Sequence, residues 1–228
     1  MSERLEIELE GGFTDAKGVG HKRLVFGSRL TGADLVRADR DIGRVSPRGF
    51  ECGACASALV EFGTLAPDEF RHGLLSLSVI EWAEVDDAFD RFRVGSAPGR
   101  EAEEISDDTV RLAFGVRRGD AVYTDITFGR LLTGWDEVHA DELGVTSIER
   151  NFYLIGRQVV RLSAADGAQA EGGLSLTDFE GMDADDITAL KDAAERWYEG
   201  VLAAHMKKRF AATGEAGETG GETDETVN

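Results

Sequence analysis

One stretch of fourteen residues occurs twice in this chain. Residues 26–39 read FGSRLTGADLVRAD and residues 128–141 read FGRLLTGWDEVHAD, with nine identities at a constant offset of 102. Self-similarity at a fixed spacing is the sequence signature of a repeated structural unit. We therefore expect the elements around this motif to occur twice, so that the chain consists of two tandem homologous units.

A β-hairpin is predicted immediately before each copy of the motif. In the first, LEIEL alternates apolar and polar side chains, GGFTDAKGVG supplies turn residues, and KRLVFG returns as a second extended run. In the second, VRLAFGV and AVYTDITFG flank the tight turn RRGD. Both predicted hairpins end in Phe-Gly, directly before the shared motif.

Helices are predicted after each hairpin. Thr31 and Asp34, like Thr133 and Asp136, have the spacing of a helix cap in which threonine accepts a first-turn amide and aspartate reaches back. Downstream, apolar residues three and four positions apart predict amphipathic helices. The expected fold class is α+β, with two tandem homologous units, each a β-hairpin followed by about three helices. We expect the units to pack about a pseudo-twofold axis, as in an ancestral homodimer.

Shifts in composition predict the boundaries of the units. Residues 1–95 are assigned to the first repeat unit, and residues 96–108, polar and rich in small side chains, to a linker. Residues 109–210 are assigned to the second repeat unit. Residues 211–228 have no hydrophobic period, so ordering them would not offset the conformational entropy lost. We expect a disordered acidic tail there.

The charge of the chain excludes some classes of partner. Forty-four acidic residues against 25 basic ones give a formal net charge of −19. Such a surface repels the phosphates of nucleic acids and anionic membranes, so neither partner is expected. Only five of the basic residues are lysines, and an acidic surface of this kind suits concentrated salt, where repulsion is screened. A halophilic source and a GC-rich genome both account for this composition.

The expected location follows from the absence of targeting patterns. The start MSERLEIELEGG lacks the basic and apolar regions of a signal peptide, and no apolar run reaches the roughly 20 residues of a membrane span. We expect the protein in the cytoplasm or in a virion-associated particle.

The one segment that resembles a reactive motif is the CxxC of Cys52 and Cys55. Such a pair can lower a thiol pKa or supply half of a zinc site. A complete zinc site needs four ligands, and the first unit adds only the scattered His21 and His72. Both cysteines are therefore weak redox candidates, with a buried structural role as the alternative. Nucleophile-elbow, P-loop and dinucleotide-binding motifs are missing, so we predict no catalytic residue, no metal site, no cofactor and no enzyme activity.

The largest difference between the two motif copies lies at Ala33, which is replaced by Trp135. A core position would impose a similar size in both copies. The indole is expected either to cover the extra loop at residues 164–173 or to face a partner. Trp135 is therefore the partner-contact candidate of this sequence.

The first unit resembles a known family. Gly12, Phe13, Asp15, Gly18 and His21 stand where phage tail assembly and base-plate proteins carry a hairpin signature, followed by a strand, a Thr-Gly helix start and an acidic-aromatic helix. These proteins are encoded near tail-tube genes in contractile phages and phage-derived injection systems. The resemblance covers residues 4–93 and, more weakly, the second unit, whose hairpin turn lacks the signature.

What the resemblance implies is an assembly role without chemistry. The protein is expected to bind other tail components, namely tube, tape-measure or base-plate proteins, and a homo-oligomer is compatible with that role. Two alternatives remain at this point: a redox or metal-binding protein that uses the CxxC pair, and a generic cytosolic interaction module of a halophile.

Overall fold

The structure, a computed structural model, describes residues 4–43, 46–95, 101–143 and 145–215 of the chain. Its fold is α+β, with a three-stranded and a five-stranded antiparallel sheet, so the predicted fold class is confirmed. We use "first unit" for residues 5–95 and "second unit" for residues 103–215.

The first unit contains three strands and four α-helices. In chain order its elements are β1 (Leu5–Thr14), β2 (Gly20–Phe26), α1 (Gly32–Ala38), a π-helical turn (Asp39–Gly43), α2 (Pro47–Ala58), β3 (Leu59–Phe62), a 3-10 turn (Pro67–Glu69), α3 (Phe70–Leu75) and α4 (Val79–Gly95). Its sheet has the order β1-β2-β3.

The second unit repeats the order hairpin, two helices, strand, two helices, with one additional strand before the hairpin and one after the strand that follows the two helices. Its elements are β4 (Glu103–Ser106), β5 (Thr109–Arg118), β6 (Ala121–Phe128), α5 (Gly134–Glu142), α6 (Ser147–Gln158), β7 (Val159–Ala164), β8 (Gln169–Glu171), α7 (Leu176–Gly181) and α8 (Ala184–Glu215). The strand order in its sheet is β4-β5-β6-β7-β8. That the two units descend from one duplicated ancestor stays a prediction.

Several elements differ from the expected boundaries. Among the described residues each unit has four α-helices, not three, because the segment after the motif divides into two helices and a strand. The predicted linker contains strand β4, whose four exposed residues pair with β5 as a polar edge strand. The predicted tail begins inside α8, which continues to Glu215; residues 216–228 lie outside the described part of the chain.

Both hairpins have the same bulge, and in each a carboxylate from a long helix, called here the hairpin support, accepts hydrogen bonds from backbone amides of the bulge. Gly12 and Gly115 have positive φ angles of 72° and 79°, which an L side chain rarely adopts, and each lies at a register shift of its hairpin. The Glu81 carboxylate, at the start of α4, accepts hydrogen bonds from the Gly11 and Gly12 amides. Asp186, at the start of α8, accepts the amides of Ala113, Phe114 and Gly115 at 2.7 to 2.9 Å. Each long helix is thereby fixed beneath its own hairpin.

The two units have separate cores that meet at a shared boundary. In the first, Phe26 stacks on Phe89 and Phe92 of α4, whereas in the second Phe128 stacks on Trp197 of α8. Val36 of the first unit packs in the core of the second, and Ala184 of the second packs in the core of the first. The units therefore form one packed structure across this boundary.

The expected pseudo-twofold packing of the units is wrong. Helix α1 of the first unit contacts the junction of α7 and α8: the Gly32 amide donates to the Met182 carbonyl, and the Ala184 amide donates to the Leu30 carbonyl, both at 3.0 Å. An isologous interface requires the reciprocal contact, between the start of α5 and the junction of α3 and α4. Within the described ranges that contact is not formed, so the units meet head to tail.

Candidate protein-docking site

Three matched contacts define which residues of the two units are equivalent. The hairpins end in Phe26 and Phe128, so the motif keeps the offset of 102. Phe26 pairs with Leu59 and Phe128 pairs with Val159, which gives α2 and α6 an offset of 100. The hairpin supports Glu81 and Asp186 give α4 and α8 an offset of 105.

These equivalences define two pairs of surfaces, namely two grooves and two helix corners. The first-unit groove comprises residues 29–35 with Ala54, Phe89 and Arg93, and the second-unit groove comprises residues 131–137 with Leu154, Ala194 and Tyr198. The α7–α8 corner comprises residues 182–185, and the α3–α4 corner comprises residues 77–80. Each groove and each corner is thus made of residues equivalent to those of its counterpart.

The first-unit groove is occupied by the α7–α8 corner. Ala184 packs against the core of the first unit, and Thr31 forms an isolated antiparallel bridge with Asp183. The backbone passes so close that a Cβ added to Gly32 would lie 2.0 Å from the Phe179 carbonyl oxygen. Only glycine fits at this position without moving one of the two backbones.

Arginine–aspartate pairs hold the α7–α8 corner in the first-unit groove. Arg29 Nε lies 2.8 Å from an Asp183 carboxylate oxygen, and Arg29 Nη2 lies 3.7 Å from Asp185. Arg93 Nη2 donates to Asp185 at 2.7 Å. The Arg29 guanidinium also covers the ring of Phe114, 3.7 Å from its centroid. Arg29 and Asp183 are partly removed from water, where such hydrogen bonds contribute more than on an open surface.

The end of helix α1 is also bound to the second unit. The Asp39 carboxylate accepts the Ser147 hydroxyl at 2.9 Å and the Ile148 amide at 3.1 Å, and so caps the start of α6. Arg40 pairs with Glu149 at 2.5 Å. Between the units a cleft of 590 Å³ remains, lined by both.

The second-unit groove has no such occupant among the described residues. A Cβ built on Gly134 meets no atom within 4 Å. The groove forms a 420 Å³ cavity whose lining includes Leu132, Glu137, Asn151, Leu154, Ala194 and Tyr198. The equivalents of these six residues line the cleft between the units, whose other wall is formed by the second unit: Leu30, Leu35, Glu51, Ala54, Phe89 and Arg93. The cavity of the second unit is therefore the same groove without an opposite wall from the other unit.

The open groove carries exposed apolar side chains. Trp135 is 81% exposed and Leu131 is 49% exposed, and Val138 and Tyr198 also face solvent. In the first unit the residues equivalent to Trp135 and Val138 are half-buried Ala33 and buried Val36. An indole that is 81% exposed is not packed against another segment, which disfavours the expected role of covering the loop at residues 164–173. Exposed aromatic and aliphatic groups beside a cavity are typical of protein-binding surfaces.

Helix α5 is held in place without a partner. Asp136 accepts both the amide and the hydroxyl of Thr133, at 2.9 and 2.8 Å, and pairs with Arg130 at 2.8 Å and with Arg157 at 3.2 Å. The hydrogen bond from Arg130 is the main reason why the pKa of Asp136 lies below its ordinary value. In the first unit, serines occupy the positions equivalent to the two arginines. The start of helix α5 is thus held by contacts within its own unit.

Helices α1 and α5 begin with the predicted capping boxes. Asp34 and Asp136 reach back to the amides of Thr31 and Thr133. The threonine hydroxyls also donate to these carboxylates. Each aspartate thus accepts two hydrogen bonds from its threonine.

The α3–α4 corner of the first unit is exposed where the α7–α8 corner is buried. Val79 and Ile80 are each 75% exposed, whereas the equivalent Ala184 is buried and Asp185 is half-buried. Leu75 of α3 lies nearby in sequence and is also exposed. Neither Val79 nor Ile80 was predicted as a site residue. The alignment of Arg29 with Leu131 in the repeated motif was a signal that the two units make different contacts.

The cysteines occupy core positions. Cys52 and Cys55 are free, fully buried and part of the first core, and their equivalents in α6 are the buried Phe152 and Ile155. Burial raises the pKa of the Cys52 thiol, and it raises that of Cys55 well above the ordinary value. A thiol that resists ionisation and has no access to solvent is a poor nucleophile. These properties disfavour redox chemistry at the CxxC pair.

The hairpin signature of the first unit has a structural role. The Asp15 carboxylate accepts the amides of Lys17 and Val19 at 2.9 Å each, and the bond from Val19 is the main cause of its lowered pKa. His21 is buried, with Nε2 3.4 Å from Asp15 and Nδ1 accepting the Thr64 amide at 3.2 Å. The described residues contain no group of three or more histidine, cysteine or acidic side chains that could hold a metal ion.

Among the helices described, none has both the length and the apolar character needed to cross a membrane. In comparisons with known proteins, no family model, no curated protein and no solved structure matches the chain.

Proposed function

We propose that this chain is a non-catalytic assembly protein that binds other proteins through its second-unit groove. One observation carries the proposal. The same groove occurs in both units; the first is occupied by a segment of the chain itself, whereas the second is open and has Trp135 and Leu131 exposed beside it. A groove whose counterpart binds a helix corner is suited to binding a helix corner.

The geometry favours binding over catalysis. The groove is lined by apolar and polar side chains in similar numbers, and its helix α5 is fixed by the cluster around Asp136. Preorganisation of this kind reduces the entropy lost on association. An exposed aromatic residue such as Trp135, with aliphatic neighbours beside a cavity, is typical of an energetic hot spot.

For the biological setting we propose a phage tail or a phage-derived injection particle, with the protein in the cytoplasm or in the assembled particle. The support is the resemblance of the first hairpin and the Thr-Gly motif to tail assembly and base-plate proteins. We further propose that the two units arose by internal duplication, because their element order and their hairpin supports Glu81 and Asp186 correspond.

The test is affinity capture from producing cells. Wild-type protein is expected to retain a tail-tube, tape-measure or base-plate protein, and Trp135→Ala is expected to reduce its recovery at least about tenfold. Val94→Asp is the matched control, since Val94 is 81% exposed but lies at the far end of α4. Its capture should equal that of the wild type.

Two results would contradict the proposal. Capture that contains no tail component would refute the setting. Capture that Trp135→Ala and Leu131→Asp leave unchanged would refute the groove as the binding site.

A further inference from the structure

We propose that the second-unit groove binds the α3–α4 corner of a second copy of this chain, so that copies associate head to tail. The inference rests on the proposed function in one respect, since it uses the same open groove. It goes further by identifying the occupant.

The geometry of the occupant is already present inside the chain. The α7–α8 corner fills the first-unit groove through the bonds from Gly32 to Met182 and from Ala184 to Leu30. The equivalent groups are the Gly134 amide and the Leu132 carbonyl in the open groove, and the Leu77 carbonyl and the Val79 amide in the exposed corner. Each half of this contact therefore has an equivalent elsewhere on the same molecule.

The side chains of the two open surfaces differ from their occupied counterparts in a matched way. In the occupied contact, Arg29 and Arg93 of the groove face Asp185 of the corner. The equivalent positions are Leu131 and Tyr198 in the open groove and Ile80 in the exposed corner. Asp183, which also pairs with Arg29, corresponds to Ser78. Charged side chains are thus replaced by uncharged ones on both sides of the contact. Replacing the charged residues on one side alone would leave a charge unpaired on binding, whereas replacing them on both sides preserves complementarity.

The same difference prevents the wrong pairing. An α3–α4 corner placed in the first-unit groove would put Ile80 against Arg29 and Arg93, and an α7–α8 corner in the open groove would bury Asp185 against Leu131. Burial of an unpaired charge is costly. Each corner is therefore directed to its own groove.

A contact of this type does not close on two copies. The groove of one molecule binds the corner of the next, which leaves one groove and one corner free at the ends. Such heterologous association gives a ring when the rotation between copies closes and a filament when it does not. The net charge of −19 opposes association. We expect association to increase in about 1 M KCl, where the Debye length falls to about 3 Å.

The first test uses substitutions that leave the monomer intact. Gly134→Ala adds a Cβ that is free in the monomer but would meet the incoming corner, as a Cβ on Gly32 would meet Phe179 at 2.0 Å. Ile80→Asp places a charge on the exposed corner. Each is expected to weaken self-association of the full chain at least about tenfold in sedimentation velocity at high salt. Gly200→Ala, an exposed helical glycine with no atom near its Cβ, and Val94→Asp are the controls and should associate like the wild type.

The second test is a mixture. Gly134→Ala retains a functional corner, and Ile80→Asp retains a functional groove. A one-to-one mixture of the two variants, each monomeric alone, is expected to form a dimer that does not grow, because the remaining groove and corner are both blocked. If the contact were isologous, mixing the two variants would not restore association.

The outcomes separate this inference from the proposed function. If the wild type stays monomeric at every concentration and salt, self-association is refuted, even when Trp135→Ala loses a tail protein in the capture experiment. If the mixture forms the capped dimer but capture recovers no tail protein, the head-to-tail contact stands and the tail function is refuted. If Gly134→Ala and the wild type associate equally, the groove is not the contact.

Discussion

The two copies of the Thr-Gly motif have the same local structure and opposite surroundings. In the first, residues 30–36 are buried or half-buried and contact the α7–α8 corner. In the second, Asp136 is buried, Leu132 is half-buried, and the remainder of residues 131–138 is exposed. Thr31 and Asp34 cap α1 in the same way as Thr133 and Asp136 cap α5. The shared residues thus specify the helix start, and the surroundings are specified by the residues that differ.

The residues that the two units share serve folding, and the residues that differ serve contacts. The hairpin end and the helix cap serve folding in both units, so their residues are the same. Arg29, Ala33 and Arg93 serve a contact that only the first unit makes within the chain, and their equivalents are Leu131, Trp135 and Tyr198. The second unit stabilises its helix internally through Arg130 and Arg157, which makes an intramolecular cover unnecessary.

The largest effect is expected for the glycines of the motif. Gly32→Ala should lower the free energy of unfolding by about 3 kcal/mol or more, because the new Cβ meets the backbone of Phe179. Gly134→Ala should raise it by about 0.5 to 1 kcal/mol, since alanine is the better helix former and the site is open. Urea denaturation of the two variants measures both values. Equal effects at the two positions would remove the distinction between an occupied and an open groove.

A smaller effect is expected from exchanging the groove arginine and its equivalent leucine. Arg29→Leu should cost about 1.5 to 3 kcal/mol, because it removes the hydrogen bond to Asp183 and leaves that carboxylate without its arginine partner. Leu131→Arg should change stability by less than about 0.5 kcal/mol, as an exposed substitution. Thermal and urea unfolding at low salt would measure the pair of variants. A large loss in Leu131→Arg would mean that this surface is covered.

The two hairpin supports are expected to respond to pH in opposite directions. The bond from the Gly12 amide lowers the pKa of Glu81 below its ordinary 4.5, so its contribution to stability is present above that pH and is lost as the pH falls through the lowered pKa. Burial raises the pKa of Asp186 above 3.8 and outweighs the three amide donors; its contribution is present below pH 3.8 and is lost as the pH rises through the raised pKa.

Substitution of each support separates these contributions. Glu81→Gln should flatten the fall in unfolding free energy between about pH 6 and about pH 3, whereas Asp186→Asn should make that fall steeper. The slope of stability against pH is the quantity to compare, since both variants also lose hydrogen bonds. Parallel slopes in the two variants would show that the supports are electrostatically alike.

The thiols are expected to have the smallest effect on stability, and their rate of labelling is the quantity to measure. In the native protein, Cys52 and Cys55 should react with a thiol reagent only as fast as the chain unfolds, because both are buried with raised pKa values. In urea both should react at once. Fast labelling of the folded protein would reopen the redox hypothesis for the CxxC pair, and a Cys52→Ser/Cys55→Ser variant with unchanged capture of partners would support the structural role.

The sequence was sufficient to predict the local elements that depend on short-range patterns. Alternation about glycine-bearing turns predicted both hairpins, and the spacing of Thr31 and Asp34 predicted a helix start, as found. Strands β3 and β7 were not predicted, because each continues directly from a helix without a glycine or proline between them. Their extended form comes from pairing with β2 and β6, which is a tertiary interaction.

The candidate site was predicted only in part. Trp135 was identified because its size differs from that of Ala33, and its exposure is the property that distinguishes the open groove. Ile80 and Tyr198 could not be identified, because their significance depends on an offset of 105 that is set by Glu81 and Asp186 in three dimensions. The equivalents of the cysteines also depend on tertiary structure: the motif offset of 102 would place Leu154 and Arg157 opposite them, whereas strand pairing places Phe152 and Ile155 there.

Hydrogen exchange of the two motif segments tests the central claim most directly. The Gly32 amide is bonded to the Met182 carbonyl, whereas the start of α5 is open to solvent. In dilute protein at low salt, amides of residues 31–35 should therefore exchange much more slowly than those of residues 133–137. Equal protection of the two segments in the isolated monomer would contradict the account.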